Sequence, residues 1–594
     1  LIKDGTELRK DGQRTLESGM NSGRDPTLLT PNECAYADNV TFRGGYPSNR
    51  QQFVKVAVTD GGNLGGFAAG LYQGSAIYDI DDGDEFIMTM IGGTLFELSL
   101  TAGGITVKQL FDDNASNRTA PQCWFCQADI YMVIQDGTTT PIVMQGLDSI
   151  RRATGANEVP VGESMAYVQG RLWVAQGRSF VAGDLLGGGT SVIDFTEQTY
   201  ADESFFFGVP LASGNIVGMT SAQVGDTTTG QGELIVFARN STFSVQASVP
   251  RAATATQAGW QGTTGMQRVT LPTIGGTGWR NILSVNADIF FRSKDGWRTY
   301  RTARNEQYGW GGAPISRELN RILPNDSLTL LDYSSSVSFR NRVILTAEPL
   351  PYKAQGGASF GALVVLDLDV ISSVIDKSNL ATAAYVSPFF IQRGSPAYDG
   401  RWSLPNDASG NPLRILQILS GTFAHVERCF IFAYNTATSL TEIWELVDGN
   451  VFDQGQQPIT SQIETKAFDF KLPDALKRLR AGFLFFNGVQ AAINVTVEYR
   501  SDGYPNWIPW GSPFPLQAHQ QPCTLPGCTG TIMPGYWFRH HLITPNGTCD
   551  PNTGKLIKNG YWFQLRITWK GPATLIMLLI HAEELVEDPN GGCP

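Results

Sequence analysis

The sequence predicts an all-β chain, with a β-propeller-like domain, an added antiparallel β-sandwich domain and irregular loops. Three observations carry this. Short apolar strands return again and again in pairs around Gly, Asn or Asp. Near residue 455 this pattern gives way to longer, cleanly alternating strands. Helical signals are scarce throughout. Paired strands at spaced intervals are the signature of a radial repeat, in which each hairpin belongs to one blade.

The first 50 residues form a polar, Gly-punctuated arm with no strong helix or strand pattern before Asn39. Such an arm either clamps a neighbour or supplies a strand that closes a ring. From 51 to 455 hairpins dominate. The clearest is MAYVQGRLWVAQGRSFVAGD, 165–184. EFIMTMIGGTLFELSL (85–100), ADIYMVIQDGTTTPIVMQG (128–146), GELIVFARNSTFSVQASVPR (232–251), NADIFFRSKDGWRTYR (286–301) and CFIFAYNTATSLTEIWEL (429–446) follow the same plan. Runs rich in Val, Ile, Phe and Tyr around a turn residue read as antiparallel hairpins. Two Gly/Thr-rich stretches, 224–233 and 252–267, read as long outward loops. The text DLDVISSVIDKSNL, 367–380, reads as a short helix with an acidic cap.

The series breaks near Gly455, and 456–594 reads as the sandwich. Ile493, Val495, Val497 and Tyr499 alternate with Asn, Thr and Glu, which places them on one face of a strand. An irregular insert from about 504 to 560 is rich in Pro, Cys, His and Trp.

Composition narrows the function. Charged residues make up 17% of the 594, below the roughly 25% of typical soluble proteins. Much of the surface is therefore neutral polar, or it lies between chains. The net charge of −11 and pI near 5.1 argue against gripping nucleic acid through its phosphates. No apolar run reaches the ~20 residues of a membrane helix. The N-terminal text is charged, has no signal-peptide core and opens without Met, so preceding residues are expected to be missing or removed.

Candidate chemistry is sparse, with eight cysteines and five histidines. Cys123-Trp124-Phe125-Cys126 has the spacing of a redox pair or half a zinc site, but lies between hairpins rather than opening a helix, so structural cysteines are the better reading. In the insert, Cys523, Cys528, His540, His541 and Cys549 cluster. Cys523, Cys528, His541 and Cys549 could supply four zinc ligands, although free thiols or a disulfide fit the irregular spacing better. The acidic run Asp79, Asp81, Asp82, Asp84, Glu85 does not match a calcium loop in either register and reads as a solvated hairpin turn. No P-loop or nucleophile elbow is present. Trp124, Trp173, Trp260, Trp507 and Trp510 could stack on sugars, but more often such residues fill the gaps between blades. No cofactor is expected.

The order of several segments carries a resemblance. GMNSGRDPTLLTPNECAYADNVTFRGGYPSNR (19–50), GRLWVAQGRSFVAGDLL followed by DFTE, GELIVFARNSTFSVQ, NADIFFRSKDGWRTY, and the closing TKAFDF, KRLRAGFLFFNG and INVTVEYRSDG occur in sequence. Together they resemble the tail nozzle (tail tubular protein B-like) family of short-tailed bacteriophages over nearly the whole chain. The insert at 504–560 departs from that pattern. The resemblance implies a structural virion protein, not an enzyme. It implies a homohexameric ring at the tip of a short tail, with the portal-adaptor ring above and tail fibre or needle proteins alongside. DNA would pass through the lumen without sequence-specific binding, and the host envelope would be met indirectly. An acidic lumen would repel the phosphates. Two alternatives stay open: a receptor- or glycan-binding tail protein, which needs exposed aromatics along a groove, and a propeller glycosidase, which needs two facing carboxylates ~5–9.5 Å apart.

Overall fold

The computed structural model describes residues 8–80, 85–112, 119–153, 158–183, 207–222, 232–245, 267–306, 314–371, 396–448, 452–516 and 538–585, apart from 169, 286–287, 324–325, 354–355, 408, 454–456, 490–491, 546–548 and 550–555. Nearly every described element is a strand. The hairpins of the sequence are all present. In the first, strands Glu85–Ile91 and Thr94–Thr101 turn at Gly92 and Gly93, both at positive φ (57° and 79°). A two-residue turn of that kind matches the twist of its strands and suits glycine.

Antiparallel meanders follow one another along the chain. Among the described residues they make seven blades, at 72–112, 124–152, 165–208, 216–271, 283–299, 336–402 and 414–447. The first strands of the blades stand side by side around an axis. Tyr72–Asp79 packs on Trp124–Ala128, which packs on Met165–Val168, which packs on Ile216–Ser221. Ile216–Ser221 meets the turn Trp279–Asn281 that leads into Leu283–Val285. Leu283–Val285 packs on Ser336–Phe339, that strand on Arg414–Phe423, and Arg414–Phe423 on Tyr72–Asp79, which closes the ring. The seventh blade is completed from the other end of the chain: Gln52–Lys55 pairs with Leu440–Val447. This is a β-propeller, closed by pairing a strand near the start of the chain with one nearly four hundred residues later.

Each blade is buried on both faces. In the second blade Val133 and Val143 face the third, against Leu172 and Val174. Their neighbours Met132, Ile134 and Met144 face the first, against Met88, Met90 and Leu95. Strands buried on both faces read as continuous apolar runs instead of alternating ones. That is why the hairpins stand out in the sequence.

The C-terminal region is a sandwich of two antiparallel sheets. One contains Phe538–Leu542, Lys477–Asn487 and Thr574–Glu584; the other contains Ile493–Ser501, Phe563–Lys570 and Thr460–Glu464. Ile493, Val495, Val497 and Tyr499 do point inward, against Leu484, Phe486, Leu578 and Ile580.

Two sequence expectations are corrected. Residues 367–371 are not helical: they end the long strand Ala358–Ile371, whose Leu363–Asp367 portion is held by backbone pairing on both sides. The rest of that expected helix lies outside the described residues, as do nearly all of the loops at 224–233 and 252–267. The N-terminal arm does carry strands before Asn39. Leu8–Gln13 pairs with Thr574–Glu584, and Tyr36–Asp38 lies between two large elements. These strands are short or polar, so periodicity does not mark them.

Candidate functional site

Propellers bind ligands on their axis, so the axis is the first place to look. Here it is filled. Gln73, on the innermost strand of the first blade, donates from its amide to the Ala120 carbonyl (2.9 Å) and accepts from the Gly93 N–H (2.7 Å). Gln417 of the seventh blade donates to the Ser75 carbonyl (2.8 Å) and accepts from the Ser75 N–H (3.0 Å). Tyr72 Oη lies 2.8 Å from both Ser75 Oγ and Gln417 Oε1. The Asn281 amide sits 2.7 Å from Ser334 Oγ and 2.9 Å from Thr277 Oγ1, linking the fifth and sixth blades.

Arg280 crosses this centre. It lies just before the fifth blade, yet its Nη2 donates to the Gln73 carbonyl of the first blade (2.6 Å) and to the Cys123 carbonyl beside the second (3.4 Å). The fifth and first blades are separated by two others, so the guanidinium spans the middle. Glycine makes the room: a Cβ on Gly74 would lie 2.3 Å from Arg280 Nη2. Arg280 is buried, and burial lowers its pKa; its electrostatic neighbours are Tyr72, Cys123 and Tyr333, none of them a carboxylate. Carbonyl dipoles and the adjacent Trp279 ring, 5.4 Å away, face the charge instead.

No family model matches the chain, and no curated protein matches it. Among solved structures, a chain of a mitotic checkpoint complex crystal structure superposes with a TM-score of 0.32 at 9% identity, covering 68% of this chain and 97% of that one. A structure titled YCF48 bound to D1 peptide gives a TM-score of 0.32 at 10% identity, covering 68% and 96%. Likeness at that level says nothing about function, and the propeller assignment rests on the sheet order above.

The buried carboxylates with raised pKa values are held by arginines. Asp399 is fully buried, and burial pushes it up to about 6 against the pull of Arg342. It accepts from Thr41 Oγ1 and the Phe42 N–H (both 2.9 Å), while its neighbour Asp367 binds Arg43 through two bonds of 2.9 Å. Asp326 is pushed up to about 6 by burial and pairs with the buried Arg292 at 3.2 Å. Asp38, whose pKa burial also raises, pairs with Arg401 at 3.1 Å and lines an open cleft.

This open cleft, of about 450 Å³, lies where the propeller meets the sandwich, lined in part by Asp38, Asn39, Arg50, Asp453 and Lys570. Arg50 already uses all five of its N–H donors, on Asn39 Oδ1, the Gln51 and Ser403 carbonyls and both oxygens of Asp453.

The sequence candidates fall as follows. Cys123 and Cys126 are free thiols on opposite faces of one blade, packed in different core clusters. Burial drives both pKa values up, that of Cys126 to about 12. Packed on opposite faces of the blade, the two thiols do not face each other, which fits the structural reading better than a redox pair or half a zinc site. Cys549 is disulfide-bonded, which removes its thiolate from any zinc set. Cys523 and Cys528 lie outside the described residues. His540 and His541 are neighbours on a strand and point to opposite faces: His540 stacks on Phe514 (3.4 Å) and His541 on Phe483 (4.7 Å). The acidic run joins strands Tyr72–Asp79 and Glu85–Ile91 as a hairpin connection, with 81–84 outside the described residues. Trp173 is fully buried and Trp510 nearly so. Trp507 is half-buried under Arg500 and Arg566, 4.4 and 4.9 Å from its ring. Trp124 is half-buried between blades, and Trp260 lies outside the described residues. Sequence reasoning missed Arg280 and Gln417. Their partners are hundreds of residues away, and neither stands in a motif.

Proposed function

We propose that this chain is a structural virion protein that forms the nozzle ring of a short phage tail. It would be a conduit for genome ejection in a homohexameric ring, docked below the portal-adaptor ring and carrying tail fibre or needle proteins. The resemblance in segment order suggests the family. The structural observation that supports the reading is the strand Tyr36–Asp38. It pairs with Pro396–Trp402 of the sixth blade on one edge and Thr460–Glu464 of the sandwich on the other. Propeller and sandwich thereby share one sheet, which resists the relative motion that separate domains ordinarily allow. A stiff two-part body suits a load-bearing ring.

The filled axis bears on the alternatives. A propeller glycosidase needs paired carboxylates open to substrate. On this axis stand Arg280, Gln73, Gln417 and Tyr72, while Asp399, Asp326 and Asp38, the buried carboxylates with raised pKa values, lie elsewhere, each beside an arginine. With Arg280 across the axis, a DNA path would run between copies of the chain.

Mass photometry of the purified protein, with negative-stain class averages, tests the reading. A closed ring with a hole wide enough for a DNA duplex is expected. A compact monomer, or a trimer without a channel, would shift the function to receptor binding or glycan hydrolysis. An acidic lumen is also expected, and a basic one would overturn the conduit.

A further inference from the structure

The outer face of the first sandwich sheet is unusual. An outward face of an antiparallel sheet is ordinarily polar. Here strand pairing sets Phe485 beside Met577, Phe483 beside Leu579, and Ala481 beside His581. Phe538–Leu542 adds Arg539 next to Phe485 and His541 next to Phe483. On the other side Leu8–Gln13 adds Lys10 next to His581. The result is a half-exposed apolar strip flanked by cations, with Leu8 38% exposed at its end.

Among the described residues the two outermost cations meet no carboxylate. Arg539 is exposed and stacks over Phe483 and Phe485, 4.2 and 5.8 Å from their centroids. Neither Arg539 nor the exposed Lys10 has a carboxylate partner among the described residues. Glu583, at the edge, is taken by Arg480. The local field is positive enough that, after burial, Lys10, His541 and Arg539 hold the His581 pKa down.

We propose that this face is the contact by which one copy of the chain docks on a second, against an acidic surface of that copy. The chain carries −11 overall, so two copies repel on average, and a basic, apolar face is where the charge pattern permits approach. The apolar strip supplies area to bury, and the cations supply direction. Self-pairing is disfavoured, because a two-fold axis along the strip would set Arg539 of one copy against Lys10 of the other, cation on cation. The contact is therefore heterologous, and a heterologous contact that closes makes a ring. This inference rests on the ring reading above and names its interface.

The test compares the full chain with the double variant Arg539→Glu, Lys10→Glu by mass photometry across a concentration series, with circular dichroism as the folding control. The two exposed side chains can change without loss of fold, and the variant is expected to need at least tenfold more protein to assemble. In parallel, a benzophenone amino acid in place of His541 should cross-link to an acidic segment of a second copy. A wild-type ring that the double variant forms equally well overturns the assigned face and leaves the ring reading standing. Cross-links confined to one chain do the same. A wild type that stays monomeric throughout overturns the ring reading itself, and the proposed contact with it. Retention of the protein on a single-stranded oligonucleotide, lost in the double variant while the ring persists, would reassign the face to a polyanion.

Discussion

Arg280 shows how one side chain can close a fold. Its guanidinium is buried without a counter-charge and is anchored on the carbonyls of Gln73 and Cys123. Hydrogen bonds from a charged donor contribute about 1.5–3 kcal/mol. Arg280→Ala would leave the Cys123 carbonyl short of a donor and open a cavity, so a loss of ~2–4 kcal/mol is expected in urea unfolding. Arg280→Met fills the volume without burying a charge and should recover at least half of that loss. If the two variants prove equally destabilised, the anchoring bonds outweigh the volume. Asp399 makes a second, pH-dependent prediction. Its native pKa is about 6, against 3.8 for an ordinary aspartate. Between those values the native state holds the proton and the unfolded chain does not. The stability from this group is therefore greatest near pH 4 and is lost as pH rises through 6. Asp399→Asn removes the titration. Wild type should gain on the variant by on the order of 2 kcal/mol between pH 7 and pH 4.5, read as paired urea midpoints. Asp326 has the same sign, so the Asp399→Asn comparison is made against wild type at each pH, where its contribution cancels. No change in the difference would mean that Asp399 is ionised throughout.

At the scale of elements, the strand Tyr36–Asp38 matters most, and Gly400 controls it. A Cβ on Gly400, which sits at φ 95°, would lie 2.5 Å from the Ala37 carbonyl. Gly400→Val should push the arm off the sixth blade and cost ~2–4 kcal/mol, through backbone strain and lost pairing. Limited proteolysis should then cut the arm or the propeller–sandwich connection first. Uniform destabilisation with an unchanged cleavage pattern would show that the arm is not what joins the two parts. How much of this was legible in the sequence follows from the same physics. The blade hairpins were visible because Val133 and Met132 are both buried, on opposite faces, so apolar residues run without interruption. The strand at 493–501 was visible because only one of its faces is buried, and the alternation is strict. Strand Leu8–Gln13, LRKDGQ, was invisible because it lies at a sheet edge and is polar on both faces. The start of the expected helix, 367–371, reads wrongly in the sequence because Asp367 looks like a cap. It is a buried partner of Arg43 and Arg342, and its strand pairs on both sides there. Arg50, Arg280 and Gln417 were out of reach for another reason: no spacing rule links residues that meet only once the ring closes.

For the whole molecule, the filled axis and the charge pattern bear on one question: where a conduit could run. Seven blades packed around a centre leave a narrow axial space, and Arg280, Gln73, Tyr72 and Gln417 occupy it with mutual hydrogen bonds. Widening it would break the links between the first, fifth and seventh blades, and with them the closure that Gln52–Lys55 provides at the rim. A ring of such bodies therefore has two kinds of centre. In the proposed ring each propeller axis would be closed and the symmetry axis of the assembly open. Class averages of the assembly should accordingly show one stain-filled hole on the symmetry axis and none within each protomer. Arg280→Met should leave that hole unchanged, because the side chain it alters faces no lumen. Stain along the propeller axes, or a hole whose width follows Arg280, would place the path through the protomer instead. The filled axis would then be a gate, and the contacts of Gln417 and Tyr72 would be the ones that must open.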